Sequence, residues 1–228
     1  MIGVTTPLGR AVKRALDMAL SLAGLVVLLP VTLLVAVAVK LDGPGPVFFR
    51  QERVGRGGEI FRIWKFRTME LAVECEGPSI TVAGDKRVTR VGRWLRKWKL
   101  DELPQLMNVF AGSMSLVGPR PEVPRFVALY DEDQRAVLAF RPGITDPATL
   151  AYLDEEDILD GVADWESYYE STVIPDKIAA NLQYMSRATI TSDLAILVRT
   201  VLRILHSPEG EDDWLPSSQV QLQEESRR

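Results

Sequence analysis

Cysteine and histidine are almost missing from this chain. Cys75 is the only cysteine in 228 residues, so no disulfide can form within the chain, which fits a reducing compartment. His206 is the only histidine and lies near the end, far from Cys75 in sequence, which argues against a Cys–His nucleophile. No internal repeat is present. Charge is missing from one long stretch, Met18 to Val39, 22 residues without an ionisable side chain. Elsewhere the composition is that of an ordinary globular domain, 46% hydrophobic and 25% charged.

The net charge of −4 conceals an asymmetry. Residues 1–120 carry 18 Lys/Arg against 10 Asp/Glu, and residues 121–228 carry 9 against 21. A basic half beside an apolar run points to anionic partners such as lipid head groups, phosphates or nucleotides, and no nucleic-acid partner is expected.

As a straight helix, 22 residues span about 33 Å, roughly one hydrocarbon core. A cleaved signal peptide is disfavoured, because Lys40-Leu41-Asp42-Gly43-Pro44 lacks a small-x-small pattern. A spanning helix is the default reading, and two observations oppose it. Arg10, Lys13 and Arg14 precede the run while Lys40, Arg50 and Arg53 follow it, so both flanks prefer the cytoplasmic side. Pro30 removes a backbone donor and kinks a helix, leaving halves too short to span. A re-entrant helix bent at Pro30 satisfies both facts, with Ser21 and Thr32 available to take up freed backbone groups.

Further on, residues 47–54 and 59–67 are rich in β-formers, and Gly55-Arg56-Gly57-Gly58 separates them. They read as a hairpin; the glycines lack the spacing of a phosphate-binding loop. Residues 70–86 read as a loop. Residues 91–100 read as a short amphipathic helix, with Trp94 and Trp98 on one face among Arg93, Arg96, Lys97 and Lys99, a composition suited to the head-group level of a membrane. Helices are expected at 103–110, 122–139, 166–185 (broken near Pro175) and 192–205. Loops are expected at 112–122 and 141–147, and residues 207–228 read as a disordered tail.

Asp101-Glu102 is the polar pair of greatest interest. Pro104 fits only a first helical turn, so a helix is expected to start at Asp101. Asp101 would then be an ordinary N-cap and Glu102 a first-turn acid. The same geometry has a chemical reading. Neighbouring helical residues point about 100° apart, so one carboxylate can approach a phosphorus while the other holds a hard cation such as Mg²⁺. Arg120, between two prolines, presents a pre-aimed guanidinium; Lys65 and Arg67 share a strand face; Arg96 lies just upstream of the pair. Each of these alone is ordinary surface charge, and spacing does not show that they converge.

Seven segments, in order, carry a resemblance. They are K-R-A-L-D at 13–17, the Pro-interrupted apolar run, G-P-V-F-F-R-Q-E-R-V-G at 45–55, F-R-I-W-K-F-R-T-M at 61–69, L-D-E-L-P-Q-L-M-N-V at 100–109, M-S-L-V-G-P-R-P-E at 114–122 and R-P-G-I-T at 141–145. Over residues 10–205 the chain resembles the bacterial sugar transferases, the monotopic phosphoglycosyl transferases. The resemblance implies transfer of a sugar-1-phosphate from a UDP-sugar to undecaprenyl (polyprenyl) phosphate, with release of UMP, at the cytoplasmic face of the bacterial inner membrane. It implies a ping-pong route through a phosphosugar–aspartyl intermediate, with Asp101 as nucleophile and Glu102 as the adjacent acid that helps bind Mg²⁺. It places Lys65, Arg67, Arg96, Arg120 and Arg141 among the substrate and phosphate contacts, and Pro30 at the membrane bend. Two departures stand out. Leu29-Pro30 replaces the Ser-Pro common at the bend, and D-P-A-T-L-A-Y-L-D-E-E follows R-P-G-I-T where many members have G-W-A-Q-V-N-G-R.

The expected architecture is α+β and predominantly helical. It comprises a lead-in (1–14), a re-entrant membrane helix (15–40), a small cytoplasmic catalytic domain with a β-hairpin and interfacial amphipathic helices (41–206), and the tail (207–228). The chain resembles the minimal catalytic form of the family, without the extra membrane helices of larger members. Inner-leaflet lipids, a homodimer and downstream glycosyltransferases are the further partners expected. Two alternatives stay open at this point: a sugar-only glycosyltransferase releasing UDP, and a non-catalytic scaffold for glycan assembly.

Overall fold

Two helices that meet at a bend open the fold. The computed structural model describes residues 3–70, 85–151, 162 and 164–206; Cys75, most of the expected 70–86 loop and the expected tail lie outside these. α1 (Pro7–Val27) begins at Thr6, whose side chain caps the N–H of Gly9, with Pro7 at the first helical position, where its missing N–H costs nothing. α2 (Leu29–Leu41) follows after Leu28 at an angle of 61°. Pro30 lies in the first turn of α2, and Thr32 Oγ1 donates to Leu28 O at 2.9 Å across the bend, as expected for a hydroxyl near a kink. Ser21 instead bonds within α1, to Met18 O. No single helix among the described residues is long and apolar enough to cross a membrane, but the bent pair together has the length and composition to do so. Much of its surface is apolar and exposed: Leu22, Val26, Val27, Leu33, Leu34 and Leu41 stand free.

The base of α1 is bolted to the rest of the chain by the K-R-A-L-D segment. Lys13 pairs with Asp193 at 2.5 Å. The Arg14 guanidinium donates to the carbonyls of Val109 and Phe110, which end a later helix. Asp17, 4% exposed, accepts from Ser115 Oγ at 2.8 Å and from the Leu116 N–H at 3.2 Å.

β1 (Phe48–Val54) and β2 (Ile60–Phe66) form the expected antiparallel hairpin, in the register Phe48↔Phe66 to Val54↔Ile60. Gly57 and Gly58, both at positive φ, make the turn between them possible. α3 (Arg90–Lys97) packs Leu95, with Val35, Val39 and Phe66, into a core that joins α2 to the hairpin. Trp94 is exposed, whereas Trp98 lies past the helix end and is partly buried.

A short 3₁₀ turn (Leu100–Glu102) precedes α4 (Gln105–Ala111). Two segments expected as loops contain strands: β3 (Ser115–Val117) and β4 (Gly143–Thr145) pair in parallel. Gly118 and Gly143 allow the close approach. A Cβ at Gly118 would lie 2.4 Å from Arg141 O, and one at Gly143 2.2 Å from Gly118 N. The expected 122–139 helix is instead α5 (Pro124–Val127) and a 3₁₀ segment (Gln134–Ala139). Asp131 interrupts it by capping the N–H of Gln134, while Gln134 Oε1 accepts from the Asp131 N–H.

α6 (Pro147–Ala151) follows β4. The run expected to break near Pro175 continues: α7 (Trp165–Tyr168) passes through a π-helical turn (Tyr169–Val173) into α8 (Ile174–Met185). The wide turn accommodates a residue with no N–H to give. α9 (Ile190–Leu205) closes the fold and sends Ile196 into a second core with Ile63, Val109 and Met114. A third core joins Phe126 and Val127 to Tyr169, Val173 and Ile178. Among the described residues the architecture is α+β and mostly helical, with two small sheets.

Candidate active site

Asp101 does not cap a helix. Lys99 has φ 51°, a left-handed conformation that turns the chain sharply after α3, and Asp101 and Glu102 follow in the 3₁₀ turn, before α4 begins at Gln105. Pro104 stands at the N-cap of α4. This turn is held from below by Asn108 on α4. Its Oδ1 accepts from the Trp64 N–H and its Nδ2 donates to Arg62 O, each at 2.9 Å, so α4 is sewn to the free edge of β2. Lys65, next on β2, thereby stands over the carboxylate pair.

Asp101 is buried and Glu102 largely so, and the two are electrostatically unequal. Glu102 accepts from Lys65 Nζ at 2.9 Å and from both terminal nitrogens of Arg120, in a fork whose longer arm is 3.3 Å. Burial pushes Glu102 up, but the charges and hydrogen bonds of Arg120 and Lys65 hold it well below the ordinary carboxylate range. Asp101 is 6% exposed, and its Oδ1 has no hydrogen-bond partner. Burial raises Asp101; Lys65 opposes this, Glu102 adds to it, and Arg96 and Lys99 oppose it, leaving a net rise. One carboxylate is thus fixed as an anion by its partners, and its neighbour keeps an oxygen uncommitted.

Both line a cavity of about 700 Å³, a size suited to a nucleotide-sized ligand. Cations crowd this end: Lys65, Arg87, Arg96, Lys99 and Arg120 all line it. Arg96 is steadied by Thr68, whose Oγ1 accepts from Nε at 3.0 Å. Arg120 is aimed from its backbone, since its N–H donates to Asp146 Oδ2 at 2.8 Å.

Four of the predicted basic and acidic positions therefore converge with Asp101: Lys65, Arg96, Glu102 and Arg120. Two do not. Arg67, 4% exposed, gives its guanidinium to the carbonyls of Val39, Gly43 and Pro44, tying the end of α2 to β2 rather than facing the cavity. Arg141 does not line the cavity; it lies near Arg14, Arg56 and Asp17, and burial followed by the two arginines lowers its affinity for its proton.

Several residues at this site escaped the sequence reading. Asp146 is fully enclosed, accepting from Arg120 and, through Oδ1, from the Thr149 N–H at 2.6 Å. The D-P-x-T pattern of an N-cap was the available signal. Glu122 accepts from Tyr169 Oη at 2.8 Å and lies 3.7 Å from Arg53, a network that braces the G-P-R-P-E loop. Lys177 and Asn181, one helical turn apart on α8, also line the cavity.

The donor set suits a divalent cation only in one mode. Among the described residues no three His, Cys, Asp or Glu side chains gather to form a cage. Two adjacent carboxylates, one with an orphaned oxygen, match the way Mg²⁺ is held by one or two carboxylates and completed by substrate phosphates.

Residues 8–207 match the family described as Bacterial sugar transferase. A UDP-glucose:undecaprenyl-phosphate glucose-1-phosphate transferase of Caulobacter vibrioides is 38% identical over 204 residues, covering 85% of this chain and 69% of the relative. A protein of the same name in Escherichia coli is 34% identical over 209 residues, covering 87% of this chain but 42% of the relative, so the chain spans less than half of that protein. An exopolysaccharide production protein of Rhizobium leguminosarum is 37% identical, with 87% and 97% covered. The chain belongs to the bacterial sugar transferase family.

Proposed function

We propose that this bacterial sugar transferase moves a sugar-1-phosphate from a UDP-sugar to a polyprenyl phosphate, releasing UMP, as an initiating step of surface glycan assembly. The observation that carries the reading is the asymmetry of the pair: Glu102 is neutralised by Arg120 and Lys65, while Asp101 keeps an unbonded oxygen in the same cationic cavity. In the first step an Asp101 oxygen attacks the phosphorus that bears the sugar. A P–O bond to UMP breaks, UMP leaves with the electron pair, and an acyl phosphate forms. In the second step a phosphate oxygen of the polyprenyl phosphate attacks the same phosphorus and the Asp101 carboxylate departs, giving a polyprenyl diphosphosugar.

Lys65, Arg96 and Arg120 hold the donor phosphates and offset the charge that gathers on them. Mg²⁺ would be held by Glu102, exchanging one of its present Lys65 or Arg120 bonds for the ion, together with the donor phosphates, and would supply charge neutralisation there. The lipid acceptor explains the exposed apolar pair α1–α2. The bent pair enters one leaflet and returns, keeping residues 1–14 and the catalytic residues on the cytoplasmic side, with Trp94 of α3 at head-group level. The relatives' names support the sugar-1-phosphate and undecaprenyl-phosphate classes.

The test uses the full chain in nanodiscs with Mg²⁺, undecaprenyl phosphate and a panel of UDP-sugars, quantifying UMP and UDP separately. UMP release that is abolished in Asp101→Asn is expected. With polyprenyl phosphate omitted, mass spectrometry should find a phosphosugar adduct on Asp101. UDP as the product, or UMP release unchanged in Asp101→Asn, would overturn the reading.

A further inference from the structure

The cavity runs on past the carboxylate pair to a wall made by α6 and α8, whose polar groups the chemistry above leaves unused. Asn181 is 4% exposed and lines this wall, and its Oδ1 has no hydrogen-bond partner. Thr149 Oγ1, also buried and without a partner, lines it from α6. Lys177 borders the same space, its Nζ 5.2 Å from the Tyr169 ring. A buried oxygen with no partner is a standing cost to the fold, and such groups persist where a ligand completes them. An amide, a hydroxyl and an ammonium together suit ring hydroxyls, and the apolar Ala148, Ile174 and Ile178 between them suit the C–H face of a ring.

Asp146 ties this wall to the reacting end. It accepts the backbone N–H of Arg120 with one oxygen and the Thr149 N–H with the other, so a single buried side chain joins the backbone that carries the phosphate cation to α6. In a UDP-sugar the hexose hangs on the attacked phosphorus, and the ribose lies one phosphate further away. A wall one side chain from Arg120 therefore meets the hexose first.

We propose that the α6–α8 wall is the subsite for the donor's hexose, and that Asn181 and Thr149 determine which sugar is accepted by bonding its ring hydroxyls. The proposal rests on the transferase reading above.

The test compares wild type with Asn181→Leu and Thr149→Val, near-isosteric changes that remove the polar atoms. UMP release is measured with UDP-glucose, UDP-galactose and their N-acetyl forms, alongside product inhibition by UMP and thermal unfolding. The expected result is a roughly tenfold rise in KM for the preferred donor. Discrimination between the C4 epimers should change by about threefold or more, the UMP inhibition constant should stay the same, and the Asn181→Leu unfolding temperature should be equal or higher. That last readout separates a ligand-binding role from a structural one, because an orphaned oxygen removed from the free protein cannot weaken it. Asn181→Ala withdraws the same amide without adding bulk, and serves if Asn181→Leu does not fold. A UMP inhibition constant rising in step with KM would give the wall to the nucleoside and overturn the proposal, as would unchanged KM and selectivity. Failure of wild type to release UMP from any donor would overturn the transferase reading itself, an outcome distinct from unresponsive variants.

Discussion

Replacing Arg120 by methionine isolates what holds Glu102 as an anion. Among the described residues, Arg120 supplies two side-chain hydrogen bonds to that carboxylate and Lys65 one. Breaking a fully buried ion pair costs about 3–5 kcal/mol. Here the arginine side chain is 33% exposed and Lys65 remains, so the expected loss is about 1–2 kcal/mol, a fall in Tm of about 3–6 °C for a chain of this size. The pH dependence gives the sharper readout. Glu102 is held below its unfolded pKa, so its ionisation stabilises the fold at all pH above the ordinary carboxylate range, and that contribution is lost only as pH falls through the lower folded value. Without Arg120, one of the two cations that offset burial is gone and the folded pKa rises, so the acid limb of stability moves to higher pH. Unfolding followed by calorimetry between about pH 4 and 8 locates that limb. UMP release should fall by about 10²–10³, as when a charge-stabilising donor is removed, with Arg120→Lys intermediate because it keeps the charge but not the fork. An acid limb identical to wild type, with turnover within about threefold, would refute the argument.

Other expectations follow from the same geometry. Asp101→Asn should raise Tm at neutral pH, because burial lifts the folded pKa of Asp101 and its ionised form costs stability as pH rises through that value; the gain should fade as pH falls toward about 4, as thermal scans at two pH values would register. Asp17→Ala orphans the Leu116 N–H and should cost about 2–3 kcal/mol, seen as a Tm lower by about 5–10 °C. Gly118→Ala places a Cβ against the backbone of Arg141–Gly143 and should cost about 3 kcal/mol in denaturant titrations, since no flexible side chain is there to yield. Tags placed before Arg10 and at the C-terminus should both be reached only from the cytoplasmic side; a tag before Arg10 reached from the periplasm would replace the re-entrant reading with a spanning helix.

Much of this was legible in the sequence because it is local. The hairpin announced itself by β-formers flanking glycines, α3 and α9 by periodicity, and the bend by Pro30 in an uncharged run. The parallel pair β3–β4 was not legible: each strand has three residues, and its partner lies on the far side of α5. The segment 122–139 has a helical pattern, but Asp131 and Gln134 satisfy one another's backbone locally and stop it. At the site, Asp101, Glu102 and Arg120 stood out by chemistry and by stiff flanking residues. Spacing alone could not separate Lys65 from Arg67, two residues apart, one over the carboxylates and the other locked onto the end of α2. Asn181 and Thr149 look ordinary in sequence; only their unbonded oxygens on a cavity wall single them out.

Arg67 and the Lys13–Arg14–Asp17 cluster fasten opposite ends of the bent helix pair to one domain. A segment clamped at both ends is intolerant of changes in length. One inserted residue advances a helix by about 1.5 Å and turns it by about 100°, so one clamp or the other would lose its acceptors. Relatives that keep both clamps should therefore vary freely in the identity of the exposed apolar residues between Met18 and Val39 but hardly at all in the length of that stretch, with any insertion in α1 matched by a deletion before the bend.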